Sequence, residues 1–201
     1  MFKKQKAKPL LNKAMYISEK EENKRNLNIY KILVIGASNS GKSHLVSRLM
    51  LEPEYVQKPP QFEFYTRKII VQAKNKEVES KFQFWDISGA EQFDLLLLQQ
   101  INQGNMQSII IVVDSTNEHS HKQLEAYIQQ IKLYTKYQIQ LLVLANKTDL
   151  INENNSFIVK QLEQVAATNK ITFERCSALL NIGVLLAFDN LRSKMVQQRF
   201  E

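Results

Sequence analysis

Short apolar runs alternate with longer amphipathic stretches along most of this chain. Three of the runs, at residues 32–35, 109–113 and 141–145, contain no polar residue, as expected for strands buried on both faces of a parallel sheet. The stretches between the strands repeat apolar residues at helical spacing and predict connecting helices. This alternation predicts an α/β fold in three layers, in which helices flank a mostly parallel, six-stranded sheet.

Within residues 29–201, five segments are predicted to be helical from the spacing of their apolar residues. The clearest is residues 120–137, where Leu124, Ile128 and Ile131 share one face. Ser156 is expected to be the N-cap of its helix, because a serine side chain there accepts a hydrogen bond from a free N–H group of the first turn. The other four predicted helices span residues 44–51, 91–103, 156–168 and 182–200.

A β-hairpin is predicted in the first half of the chain. Residues 62–73 and 78–85 are rich in β-branched and aromatic residues, and the polar sequence KNKE separates them. The second strand is expected to end at Asp86. Three prolines between residues 53 and 60 predict an irregular loop before the hairpin. A last short strand is predicted at residues 171–175.

The first 28 residues predict a basic extension in front of a single domain formed by residues 29–201. The basic residues of the extension are Lys3, Lys4, Lys6, Lys8, Lys13, Lys20, Lys24 and Arg25. After Pro9, the apolar residues of LLNKAMY recur at helical spacing and predict a short amphipathic helix. We expect this helix either to pack on the domain or to dock on a membrane surface or a partner.

Composition narrows the expected partners and compartment. The 201 residues carry a formal net charge of +7, but the basic residues are dense only in the extension, which favours a docking arm over a nucleic-acid-binding surface. Cys176 is the only cysteine, so no intramolecular disulfide forms and a reducing, cytoplasmic compartment fits. No apolar run approaches the roughly 20 residues of a spanning helix. Phe2 and a cysteine-free end predict no lipid anchor.

The sequence GASNSGKS at residues 36–43 follows the first buried run and precedes a predicted helix. Gly36 and Gly41 bracket a tight loop whose backbone N–H groups can point inward, which suits phosphate. Lys42 is expected to contact the outer phosphates and Ser43 to bind Mg²⁺, while the start of the helix adds a positive dipole end. The predicted phosphate-binding set is completed by Ser38, Asn39, Ser40 and His44.

The sequence WDISG follows a strand of the predicted hairpin. Ligands of open parallel sheets bind beyond the carboxyl ends of the strands, so Asp86 is expected near the phosphate-binding loop. A carboxylate there can hold Mg²⁺ through water, and Gly89 can offer an unobstructed backbone N–H to a terminal phosphate. Asp86 and Ser43 are therefore the predicted metal-binding residues.

The sequence NKTD at residues 146–149 follows the third apolar run and predicts which base is bound. A carboxylate at Asp149 can accept two parallel hydrogen bonds, from N1–H and the 2-amino group of guanine. Adenine has an acceptor at one of these places and would leave the carboxylate unpaired, which excludes an ATP-dependent kinase or ATPase. Asn146 and Lys147 complete this predicted base-binding segment.

Together, GASNSGKS, WDISG, NKTD and CSAL (residues 176–179), in this order, resemble the Ras-like small GTPase superfamily over residues 29–200. The resemblance implies the three-layer P-loop NTPase fold of a G domain, with GTP or GDP and Mg²⁺ bound. It also implies that Ser177, Ala178 and Leu179 form a backbone wall beneath the guanine, with Leu179 replacing the family's usual lysine. KFQFWD is similar to the Rab branch, whereas VVDS and LANKTDL are closer to the Arf-like branch.

Two departures from the family pattern bear on function. The family has a glutamine directly after the glycine of WDISG to orient the attacking water, and this chain has Ala90 there. A methyl group cannot hold a water molecule, so the sequence identifies no secure catalytic residue for GTP hydrolysis.

The family also closes its first switch loop over Mg²⁺ with a threonine. Depending on which branch sets the spacing, the counterpart here is Pro59 or Thr66.

Two hypotheses follow. In the first, the chain is a guanine-nucleotide-binding protein of the small GTPase type that hydrolyses GTP slowly or only with outside help. In the second, it is a structural or adaptor subunit whose G domain retains GTP or GDP as a stabilising ligand inside a larger assembly. Both predict a protein partner, no nucleic acid, and membrane contact only through the basic arm or that partner.

Overall fold

The computed structural model describes residues 28–51, 62–73, 76–87, 106–135 and 139–200. Strands and helices alternate within these ranges, as the apolar pattern predicts. The strands are β1 (Asn28–Ile35), β2 (Phe62–Ala73), β3 (Lys76–Ile87), β4 (Ser108–Asp114), β5 (Gln140–Asn146) and β6 (Thr172–Arg175). The helices are α1 (Lys42–Leu49), α2 (Ser120–Tyr134), α3 (Ser156–Thr168) and α4 (Val184–Phe200), with a 3₁₀ turn at Thr148–Leu150.

The described strands form one six-stranded sheet in the order β2-β3-β1-β4-β5-β6. The hairpin strands β2 and β3 are antiparallel, and every other neighbouring pair is parallel. The predicted α/β fold with a mostly parallel six-stranded sheet is therefore confirmed. Because β1, β3, β4 and β5 run in the same direction, the segments that follow them all leave the sheet at one edge, where ligands of such sheets bind.

Both faces of the sheet are buried, which explains why the central strands are apolar throughout. On one face, Ile32 and Val34 pack with residues of α1 and α4. On the other face, Leu33 and Ile35 pack with residues of α2 and α3. Alternate side chains of each central strand thus enter two separate cores, and the sheet is held between two layers of helices.

Several predicted boundaries differ from the structure. β1 begins at Asn28 rather than residue 32, and α2 ends at Tyr134 rather than residue 137. The prediction that Ser156 is an N-cap was wrong: Ser156 is the first helical residue, and Asn155, with non-helical backbone angles, is the N-cap. α4 begins two residues later than predicted, after Gly183, whose φ of 74° a side chain would strain.

Some predictions concern residues outside the described ranges. These are the amphipathic helix of the basic extension, the proline-containing loop and the helix at residues 91–103. Gly89 and Ala90 also lie outside the described residues, so the structure does not test their predicted roles. Among the helices that the structure describes, none is both long and apolar enough to cross a bilayer.

Candidate functional site

The loop between β1 and α1 closes around the side chain of Lys42. The Lys42 Nζ atom donates hydrogen bonds to the backbone oxygens of Gly36, at 2.9 Å, and Ala37, at 2.8 Å. The side chain is buried, and burial lowers the pKa of Lys42 while the charge of Asp86 acts in the opposite direction. The ammonium group is therefore held against the first two residues of the loop, within electrostatic range of the Asp86 carboxylate.

Two glycines allow this loop to approach the neighbouring strands. Gly36 has φ of 151°, and a Cβ atom there would overlap the backbone oxygen of Val112 in β4. Gly41 has φ of 92°, and a Cβ atom there would overlap the side-chain amide of Asn146. Neither position can accept a side chain without displacing the loop, which explains why the loop begins and ends on glycine.

The other predicted residues of this loop differ in exposure. Ser38 and Asn39 are exposed, and Asn39 adopts the left-handed conformation that asparagine tolerates. Ser40 is fully buried, and its Oγ atom has no hydrogen-bond partner among the described residues. Ser43 and His44 follow Lys42 in the first turn of α1, where the free N–H groups of the helix point towards the loop.

Asn146 joins three parts of the predicted site. Its Nδ2 atom donates a hydrogen bond of 2.9 Å to the backbone oxygen of Ser40, in the phosphate-binding loop. Its Oδ1 atom accepts one of 2.9 Å from the backbone N–H of Ala178. The side chain is buried, so both bonds are shielded from water. One amide therefore ties the segments after β1, β5 and β6 to each other.

The segment that contains Asp149 turns back over this junction. Lys147 adopts a left-handed conformation with φ of 66°, and Thr148 donates from both its N–H and its hydroxyl group to the backbone oxygen of Cys176. The Oδ1 atom of Asp149 is buried and has no hydrogen-bond partner among the described residues. A buried carboxylate oxygen is costly to leave unpaired, so this atom is the feature of the site that most needs a ligand.

The wall predicted beneath the base is partly engaged within the protein itself. The N–H of Ala178 already donates to Asn146, and the side chain of Leu179 is 59% exposed. Ser177 is buried, and its Oγ atom accepts a hydrogen bond from the N–H of Leu180. Burial raises the pKa of Cys176 to about 12, which agrees with a packing role for this thiol.

Arg48 is a residue of this region that the sequence prediction missed. It lies in α1, directly after the phosphate-binding loop, and its Nε atom donates to the backbone oxygen of Ala178 at 3.0 Å. Its Nη2 atom donates to the backbone oxygen of Leu179 at 3.1 Å. The phosphate-binding and base-binding segments are thus connected a second time, independently of Asn146. No local pattern identifies such a contact, because its partners are 130 and 131 residues away.

Asp114 is a second residue that the prediction missed, although it stands at the end of an apolar strand. Its Oδ2 atom pairs with Lys147 Nζ at 2.6 Å, and its Oδ1 atom accepts hydrogen bonds from the N–H and hydroxyl groups of Thr116. Burial alone would raise the pKa of Asp114, but the bonds from Lys147 and Thr116 lower it below its usual range. The position itself is a usable sequence signal, because Asp114 directly follows the apolar run at residues 109–113 and is the last residue of β4.

The two predicted metal-binding residues lie at the expected edge of the sheet. Asp86 is buried near the end of β3, beside Val34 of β1. Its charge acts to raise the pKa of Lys42, against the effect of burial. Ser43 is the second residue of α1. Within the described residues, no group of three or more His, Cys, Asp or Glu side chains could hold a metal ion. A hydroxyl group and one carboxylate fit Mg²⁺, which keeps several waters and takes further ligands from phosphates.

Thr66 lies inside β2, opposite Gln83 of β3, and its side chain is exposed. Asp86 is paired with Glu63, so Thr66 is three residues, about 10 Å, back from the edge where Asp86 lies. A strand residue at that distance does not supply a hydroxyl to the site. The alternative counterpart, Pro59, is outside the described residues and has no hydroxyl group to offer.

Comparison with known sequences adds independent findings. The family model described as the Ras family matches residues 31–197. Among curated relatives, Rab-11A of Dictyostelium discoideum is 27% identical over 169 residues, covering 83% of this chain and 76% of the relative. RabC of the same organism is 28% identical over 167 residues, covering 81% and 82%. RABD2a of Arabidopsis thaliana is 31% identical over 165 residues, covering 80% and 76%.

Proposed function

The chain belongs to the Ras family of small GTPases, and from this premise we propose that it binds GTP or GDP with Mg²⁺ and has weak or absent intrinsic GTP hydrolysis. The Rab-related relatives agree with the Rab-like sequence KFQFWD, while the Arf-like likeness of VVDS and LANKTDL stays a prediction. The proposal assigns residues 29–201 to the G domain and residues 1–28 to a basic extension.

The observation that best supports guanine binding is the arrangement around Asn146 and Asp149. Asn146 holds the phosphate-binding loop against the segment after β6, so phosphate and base would bind on either side of one fixed junction. Asp149 follows in the next turn with a buried, unpaired carboxylate oxygen. The N1–H and 2-amino groups of guanine are the complementary donors, and adenine lacks this pair.

The remaining predicted residues are assigned to the phosphates, to Mg²⁺ and to the surroundings of the base. The backbone N–H groups of residues 36–43 would bind the phosphates, and Lys42 would exchange part of its bonding to Gly36 and Ala37 for phosphate oxygens. Ser43 and Asp86 would hold Mg²⁺, which when bound neutralises phosphate charge. The N–H of Gly89 is assigned to the terminal phosphate, and Lys147, Ser177, Ala178 and Leu179 to the surroundings of the base.

Weak hydrolysis follows from the residue at position 90. In the family a glutamine there orients the attacking water, and Ala90 has neither a donor nor an acceptor on its side chain. Nucleotide binding does not depend on that side chain. The protein is therefore expected to bind GTP without turning it over at the rate of a family member that carries the glutamine.

Replacing Ala90 with glutamine is expected to accelerate GTP hydrolysis roughly 10-fold, because it restores an amide that can position water. The measurement is single-turnover hydrolysis of bound GTP, followed by chromatography of the nucleotides. Ala167→Gln is the matched control, since Ala167 is exposed near the end of α3, at the edge of the sheet opposite the phosphate-binding loop. A rate equal to that of the unmodified protein would contradict the assignment of position 90.

A structural or adaptor role is the second candidate function. The position of Thr66 inside β2 favours it, because neither Thr66 nor Pro59 can then close a switch loop over the terminal phosphate. In this role the bound GTP or GDP stabilises the G domain, and the chain contacts a protein partner or larger assembly. A reducing, cytoplasmic setting suits both roles, since the one cysteine is buried as a thiol.

One experiment separates the two roles. The protein is purified, its bound nucleotide is identified by chromatography, and nucleotide exchange is followed together with single-turnover hydrolysis. The switch-type GTPase role predicts bound guanine nucleotide that exchanges with free nucleotide. A trapped guanine nucleotide that neither exchanges nor is hydrolysed would contradict that role and support the structural one. Exchange and hydrolysis at ordinary small-GTPase rates would contradict both weak hydrolysis and the structural role.

A further inference from the structure

Asp114 has a carboxylate group whose two oxygens are both held in fixed positions. One oxygen accepts hydrogen bonds from the N–H and hydroxyl groups of Thr116, at 2.9 and 2.7 Å. The other pairs with Lys147 Nζ at 2.6 Å. The backbone oxygen of Asp114 also accepts a bond of 2.7 Å from the hydroxyl group of Ser120, at the start of α2. Asp114 is thus a rigid anchor at the end of β4.

The anchor stands directly beside the base-binding segment. Asp114 and Asn146 are opposite each other in the parallel pair of β4 and β5, and the N–H of Ser115 donates to the backbone oxygen of Asn146. Lys147, the residue that Asp114 binds, adopts a left-handed conformation in this turn, with φ of 66°. The left-handed conformation is unfavourable for lysine, so this turn needs an interaction that holds Lys147 in place.

We propose that Asp114 is a positioning residue for guanine recognition, which acts by fixing Lys147 and so the turn that presents Asp149. This inference rests on the proposed function. The carboxylate holds the far end of the Lys147 side chain, while Thr148 holds the backbone on the other side of the turn through Cys176. With both ends held, the unpaired oxygen of Asp149 keeps one place and one direction before any nucleotide arrives.

The local electrostatics favour the charged form of the anchor. The hydrogen-bond donors around Asp114 outweigh its burial, so its pKa stays below the ordinary range and the carboxylate is ionised at neutral pH. The paired side chains are only 18% and 29% exposed, which limits screening of the pair by solvent. Charge-assisted hydrogen bonds of this length are stronger than neutral ones.

The test is Asp114→Asn, which keeps the shape of the side chain and removes its charge. We expect GDP to dissociate about 10-fold faster, because the charged bond to Lys147 is lost and the turn that presents Asp149 is no longer held in one conformation. The preference for GDP over IDP, whose base lacks the 2-amino group, is expected to fall as well. A loss of global stability alone would not change that preference. Fluorescent GDP chased with unlabelled GDP gives the rate, and competition with IDP gives the preference.

A double-mutant cycle tests whether Asp114 affects GDP dissociation by way of Lys147. In the Lys147→Met background the methylene chain remains and the charge is gone, so Asp114→Asn is expected to change dissociation less than 2-fold. Glu163→Gln is the matched control, because it breaks the exposed pair with Arg175 and removes the same charge. This control is expected to leave GDP dissociation unchanged.

Each outcome bears on the inference in a defined way. Unchanged GDP dissociation in folded Asp114→Asn protein would overturn it, as would an undiminished effect in the Lys147→Met background. If Asp114→Asn does not fold, Thr116→Val removes one bond to the carboxylate without a change of charge. Faster dissociation in that variant supports the inference, and an unchanged rate overturns it. A wild-type protein that binds no guanine nucleotide overturns the proposed function as well.

Discussion

Replacing Asp149 with asparagine is expected to change the preferred base from guanine to xanthine. In the proposed complex the Asp149 carboxylate would accept from N1–H and from the 2-amino group of guanine, whereas an amide offers one acceptor and one donor. Xanthine keeps N1–H and has an oxygen in place of the 2-amino group, so it matches the amide. The buried position of the Asp149 Oδ1 atom makes a mismatch costly, because water does not replace the missing partner.

The expected size of the effect is a fall of about 10³-fold or more in GDP affinity, with XDP becoming the better ligand. Equilibrium titrations of nucleotide-free protein with GDP and XDP measure both changes. Asp189→Asn is the matched control, since Asp189 lies on the exposed side of α4, where it pairs with Arg192 and its charge also acts on Arg67. An Asp149→Asn protein that keeps its GDP affinity and its preference for GDP would contradict the assigned role of Asp149.

Replacing Gly41 with alanine is expected to break the junction between the phosphate-binding loop and Asn146. The added Cβ atom would overlap the Asn146 amide, and φ of 92° is strained for alanine. Asn146 would have to move and give up its bonds to Ser40 and Ala178. Strain and two lost buried bonds together cost about 2–4 kcal/mol of stability.

This loss is measured by denaturant unfolding of the nucleotide-free protein and by GDP dissociation. The unfolding midpoint is expected to fall with little change in slope, and GDP affinity is expected to fall about 100-fold, or about 2.8 kcal/mol. Ser38→Ala is the control in the same loop, because it keeps the backbone N–H that is assigned to phosphate and changes only an exposed side chain at a residue without a positive φ. Wild-type stability and affinity in the Gly41→Ala protein would contradict the role of the junction.

The sheet and the location of the site follow from local features of the sequence. The apolar runs at residues 32–35, 109–113 and 141–145 are typical of strands covered on both faces, and the structure buries most of their side chains in two cores. Parallel strands then bring the segments after β1, β3 and β5 to one edge. Gly41 and Asn146 were predicted to line one site, and the structure puts them in contact.

Other features depend on contacts that no local pattern encodes. The bonds from Arg48 to Ala178 and Leu179 join residues more than 100 positions apart, and arginine in a helix is usually solvated. The backbone of Ala178 was predicted to form part of a wall beneath the guanine, and no local pattern indicates that its N–H donates to the side chain of Asn146. Helix ends were misplaced because Asn155 and Ser156 are both good N-cap residues, and the backbone decides between them.

We propose that one pocket combines phosphate binding by the loop at residues 36–43 with guanine recognition by Asp149. The most direct measurement is a pair of calorimetric titrations of nucleotide-free protein, with GDP and with ADP, in the presence of Mg²⁺. We expect one GDP site and an affinity for ADP that is lower by about 10⁴-fold. Equal affinities for the two nucleotides, or no binding of GDP, would contradict it.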